Sequence, residues 1–150
     1  MKLATALSER ADLQKRISEL ETRLNHNAKV QEGEKPAEDP VELLKELDSC
    51  LVRLEELIAH INKTNNETKD GKQTISDLIA HRDCLKTRIG VMRSFLDECS
   101  GQVSRYTKAE IKILSTVSVK DFQKQVDQYA KELRETDERI QSLNWTTELI

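Results

Sequence analysis

The sequence predicts a mainly α protein: four long helices in two antiparallel hairpins, bundle- or coiled-coil-like, with one or two short β-strands in the linkers. Three observations predict it. Charged residues make up 34% of the 150 residues and aromatics only 3%, with 4 Gly and 2 Pro, a composition of long helices rather than sheets. Apolar residues recur at alternating steps of three and four in four separate segments. Capping motifs stand at the start of three of those segments. At this length a single helical domain over 1–150 is expected.

The first stripe is Leu3, Ala6, Leu13, Ile17, Leu20 and Leu24, with Arg10 filling the missing step, and predicts a helix over about 2–27. The second, Leu44, Leu47, Leu51, Leu54, Ile58 and Ile61, predicts a helix over about 40–64. Its start reads "DPVE": Asp39 as N-cap, Pro40 at the first helical position and Glu42 closing a capping box. The third stripe, Ile75, Leu78, Leu85, Ile89, Met92, Leu96 and Cys99, with Arg82 in its gap, predicts a helix over about 75–99. Thr74 and Asp77 cap it, and Gly101 stands where a stop is expected. The fourth, Phe122, Val126, Tyr129, Leu133, Ile140 and Leu143, predicts a helix over about 119–143, capped by Ser118 and Asp121.

The linkers read differently. "NAKVQEGEKPAEDP" holds Gly33, Pro36 and Pro40 and cannot be helix throughout. In the other linker Ile111, Ile113, Val117 and Val119 share one parity, while Lys112, Thr116 and Ser118 share the other. That period of two predicts a strand over about 110–117. A lone strand leaves its backbone groups unpaired, so a short partner strand over 28–31 is expected.

Several function classes drop out. Net charge is −3, from 24 basic and 27 acidic residues, with none of the clustered positive charge that nucleic acid needs. No apolar run exceeds three residues, so a membrane partner is not expected. No signal-peptide core is present and the three cysteines, Cys50, Cys84 and Cys99, show no CxxC spacing. A cytoplasmic location is the expectation. The chain carries no Gly-rich phosphate loop, no GxSxG and no HExxH, so no catalytic residue and no cofactor are assigned.

One repeat points toward metal. "ELIAH" (56–60) returns as "DLIAH" (77–81), and folding the central hairpin antiparallel would level His60 with His81. Glu56, Asp77 and Cys84 would complete a set of imidazole, carboxylate and thiolate ligands. Against this, Asp77 already has a capping role, and Glu56 with His60 makes an ordinary i, i+4 surface pair. The preferred reading assigns no metal, with His60 and His81 as the alternative.

Seams two positions wide in seven suit helical hairpins that gain by docking on copies, so the expected partner is the chain itself, as a homo-oligomer. Beyond packing, "RADLQKRI", "NAKVQEGEKPAEDP", "INKTN", "RYTKAEIKILSTV" and "LNWTTEL" together resemble a small bacterial helical family labelled septicolysin or septicolysin-like. The resemblance runs over nearly the whole chain. It implies a helical fold with no assigned reaction or cofactor, and the label implies a cytolysin. It draws attention to Glu32, Glu34, Lys35 and Glu38 in the first linker, to Arg105, Tyr106 and Thr107 in the second, and to Asn144, Trp145 and Thr146 after the last helix. These form the candidate binding surface. Trp145 is expected to cap the open end of the bundle. The sequence therefore reads as a non-enzymatic, self-assembling helical scaffold or binding module, with a lytic or a metal-binding protein as the alternatives.

Overall fold

A computed structural model describes residues 1–101 and 111–150. The elements run α1 (Leu3–His26), α2 (Pro40–Glu67), β1 (Lys69–Asp70), β2 (Gln73–Thr74), α3 (Ile75–Ser100) and α4 (Val119–Thr146). The four helices fall where the stripes put them, in a mainly α fold of packed helix pairs with a small two-stranded antiparallel sheet. Contacts gather into two compact units, Met1–Thr74 with Ser142–Ile150, and Ile75–Gln141.

In the first unit α1 packs on α2. Leu20, Leu43 and Cys50 form the buried centre, with Leu13, Ile17, Leu24 and Leu47 around it. Three arginine–glutamate pairs lace the hairpin: Arg16 with Glu46, Arg23 with Glu38, and Arg53 with Glu9. The α1 partners rise in number as the α2-side partners fall, which is the antiparallel register. The ends of α2 follow local chemistry. Asp39 Oδ1 accepts from the Val41 N–H at 2.9 Å, with Pro40 at the first helical position. Glu42 does not close the box; its carboxylate takes Lys45 Nζ at 2.7 Å instead.

α1 has no side-chain cap. Its first N–H is satisfied by the chain's far end, Leu3 N–H donating to Thr147 O at 2.9 Å; in return Met1 O accepts from Leu149 N–H at 2.8 Å, and Lys2 bridges Glu148 antiparallel. Ile150 N–H donates to the hydroxyl of buried Thr64 at 3.0 Å, and that hydroxyl donates to His60 O at 2.8 Å.

The strands stand elsewhere than expected. Among the described residues the sheet is β1–β2, paired Lys69 with Thr74 and Asp70 with Gln73. Gly71 and Lys72 form the two-residue turn, and Gly71 has φ +66°, a left-handed value that glycine adopts without strain. Residues 28–31 and 111–117 carry no strand; residue 110 lies outside the described residues. The physical reason is visible in the exposure. Ile111 and Ile113 share parity, yet both face solvent along with Leu114, so the alternation has no buried face to specify a register.

In the second unit α3 packs on α4 through Ile89, Leu96 and Val126, with Met92, Phe122, Tyr129, Ala130 and Leu133. Phe95 meets Phe122 edge-on at 5.2 Å, and Arg88 lies 4.8 Å over the Tyr129 ring. Ser118 caps α4, its hydroxyl accepting from the Asp121 N–H at 3.4 Å. α3 stops at Ser100, before Gly101.

Two helices outrun their expected ends. α2 continues to Glu67 rather than 64, and α4 to Thr146 rather than 143. In α4 the last turn is held by Thr146 Oγ1 donating to Ser142 O at 2.9 Å and by Lys2 Nζ donating to Thr146 O at 3.0 Å. The first of these contacts is local, whereas Lys2 comes from the other end of the sequence, where local reading does not look.

Candidate functional site

The surface that stands out is on α2, and it arises from how apolar residues are phased there. Toward α1 and the core the helix buries Leu43, Cys50, Leu57, Ile61 and Thr64, with Leu47 and Leu54 half-buried. One residue further on at every second turn lies a second apolar series: Leu44 beside Leu43, Leu51 beside Cys50, Ile58 beside Leu57. Neighbouring residues are about 100° apart on a helix of 3.6 residues per turn, so the second series is a separate stripe. It begins at Val41 and stays uncovered: Val41, Leu44, Leu51 and Ile58 are 58, 48, 45 and 39% exposed, and Val52 beside them is exposed as well.

The stripe expected from the sequence, Leu44, Leu47, Leu51, Leu54, Ile58 and Ile61, thus splits. Leu47, Leu54 and Ile61 turn inward; Leu44, Leu51 and Ile58 turn outward. Steps of three and four tolerate a phase shift of one residue, and the wide apolar arc of α2 supports two parallel seams. The outer seam keeps the coiled-coil rhythm over seven positions, Val41, Leu44, Asp48, Leu51, Glu55, Ile58 and Asn62. Asp48 and Glu55 have no side-chain partner among the described residues.

The described members of the candidate surface drawn from the linkers and tail differ in their surroundings. Glu32, Glu34 and Lys35 are exposed on the first linker. Glu38 is bound: Arg23 donates to it through Nε and Nη2, and its N–H donates to Asn27 Oδ1 at 3.0 Å. The Arg23 fork holds the Glu38 carboxyl below its ordinary range. Arg105, Tyr106 and Thr107 lie outside the described residues. Asn144 is buried, whereas Trp145 is 67% exposed inside α4; it does not cap a bundle end as expected, because the helix continues past it and turns its indole outward. Arg23 and Asn27, which anchor the linker to α1, went unread, since neither lies on an apolar stripe.

The two histidines are held separately. His60 Nδ1 meets the main-chain oxygen of Ile150, and His81 Nε2 meets Glu132 Oε1 at 2.9 Å. Among the described residues no three His, Cys, Asp or Glu side chains gather as a metal site, so the expected levelling of His60 with His81 brings no ligand set together. Cys50, Cys84 and Cys99 are free thiols. No described helix is long and apolar enough to cross a membrane.

Residues 10–149 match a family described as being of unknown function, DUF6847. The chain is also similar to a solved structure, the crystal structure of a functionally unknown conserved protein from Corynebacterium diphtheriae. The two are 40% identical with a TM-score of 0.91, covering 100% of this chain and 99% of that one. No curated protein matches.

Proposed function

For this chain, which belongs to the family of unknown function DUF6847, we propose a non-enzymatic role as a self-assembling helical module, a scaffold or binding protein. Its working surface is the outer seam of α2. One observation carries the reading: Leu44, Leu51 and Ile58 recur every seven residues and stay exposed while their neighbours Leu43, Cys50 and Leu57 are buried. The α1 partner is already seated on the other seam, so this stripe has capacity for a further helix. Helix-on-helix burial needs no preorganised polar groups, in keeping with a chain in which no catalytic residue is assigned.

Light scattering across a concentration series tests it, on wild type and Leu51→Asp. The expected result is a wild-type mass that exceeds 17.2 kDa as concentration rises, and a Leu51→Asp mass that stays at one chain with unchanged helical circular dichroism. A wild type of one-chain mass at every concentration would overturn self-assembly.

A further inference from the structure

We propose that the preferred occupant of the outer α2 seam is an amphipathic helix of another protein that carries lysine or arginine at two seam positions seven residues apart. This rests on the reading of that seam as an interface and adds which partner fits it best.

The charge on the seam decides the partner. Asp48 and Glu55 sit between the apolar positions, one heptad apart, about 10.5 Å along the axis at 1.5 Å per residue. Neither has a side-chain partner among the described residues. The nearby cations are committed elsewhere. Lys45 holds Glu42 at 2.7 Å, and Arg53 is shared between Glu9 and Glu56.

A second α2, docked in either direction, contributes its own Asp48 and Glu55 to the same strip. Four carboxylates and no seam cation would then face a surface that packing dries, where like charges cost most. A helix with leucine-type residues at four seam positions and cations at the two between them buries the same apolar area and neutralises both acids. Because the two cations need only be seven apart, parallel and antiparallel docking both satisfy them. Self-association through this seam is therefore the weaker use of it, and a basic helix displaces the copy.

Two synthetic helices of about 21 residues test this, long enough to cover the stretch from Val41 to Ile58, about 26 Å. Both carry leucine at the four apolar seam positions; one has lysine and the other glutamate at the two intervening ones. Fluorescence anisotropy of each labelled peptide is read against the full chain. The lysine peptide is expected to bind about tenfold more tightly, the size two partly dried ion pairs supply. The Asp48→Lys/Glu55→Lys double variant is expected to reverse that order, and Leu51→Asp to weaken both peptides, with circular dichroism confirming that each variant folds. Equal affinities would overturn the basic partner and leave the seam as an interface. No binding of either peptide, with a one-chain mass in light scattering, would overturn the seam reading itself. A tight homodimer that neither peptide displaces would make the second copy the occupant and overturn the proposal alone.

Discussion

Arg53 on α2 reaches Glu9 on α1 with two nitrogens, Nε to one carboxylate oxygen at 2.7 Å and Nη2 to the other at 3.0 Å. That fork, chiefly by its hydrogen bonds, holds the Glu9 carboxyl below its ordinary range. Arg23 does the same to Glu38, and Lys2 to Glu148. The folded pKa of each lies below the unfolded one, so each contributes stability that is present above an ordinary glutamate value of about 4.3 and lost as pH falls through the folded value. The melting temperature of the wild type is expected to drop on acidification below about pH 4.3, and Glu9→Gln to show a shallower acid limb. Acid limbs of equal slope would show that the fork adds nothing to stability. All these groups are open to solvent, so the change is modest.

The two seams of α2 predict opposite sensitivities for leucines six residues apart. Leu57 is 1% exposed, and Leu57→Ala removes packed methyl groups from the first unit, at a cost of about 2–5 kcal/mol. Leu51 faces outward, so in the single chain Leu51→Ala is expected to cost no more than about 0.5 kcal/mol. Urea unfolding at low protein concentration, where association is absent, measures both. A large loss at Leu51 would mean that the outer seam is covered within the chain.

What could be read from residues alone was what depends on near neighbours. Asp39 before Pro40 and Ser118 before Val119 mark helix starts because capping joins groups two or three residues apart. The same logic underlay the expected stop at Gly101. Glu42 is drawn away from its capping box by a near neighbour, Lys45; the other differences involve more distant surroundings. The last turn of α4, which holds Trp145, takes Lys2 on Thr146 O, the outward phase of Leu51 depends on where α1 lies, and Ile111 and Ile113 look like a strand to any reading that cannot see whether an edge awaits them. The outer seam was half visible as three members of an expected stripe. Its other half, Asp48 and Glu55, without a side-chain partner among the described residues, was hidden because a charge inside an apolar rhythm reads as solvated surface.

Two glycines should respond oppositely to the same change. Gly71 sits in the β1–β2 turn at φ +66°, where an alanine side chain is strained by about 1–2 kcal/mol. Gly90 lies inside α3 with open space where a Cβ would stand. There Gly90→Ala removes unfolded-state freedom and is expected to stabilise by about 0.5–1 kcal/mol. Thermal melts of the two variants check this: Gly71→Ala should melt below wild type and Gly90→Ala above it. A loss at Gly90 would reveal a close neighbour for that face of α3.

Lysis, which the septicolysin label implies, asks the helices to work on a bilayer, and their make-up argues against that use. A helix that lies in a membrane surface needs a broad apolar face with basic residues beside it. The uncovered seam of α2 is narrow and carries Asp48 and Glu55 instead, charges that an anionic surface repels. No described helix is long and apolar enough to span. Liposomes of neutral and of anionic lipid, loaded with a self-quenched dye, are therefore expected to keep their contents at micromolar protein, for wild type and for Asp48→Asn/Glu55→Gln alike. Release from wild type at either composition would restore the lytic reading. Release only from the neutralised variant would show that the two seam acids are what keeps α2 off lipid.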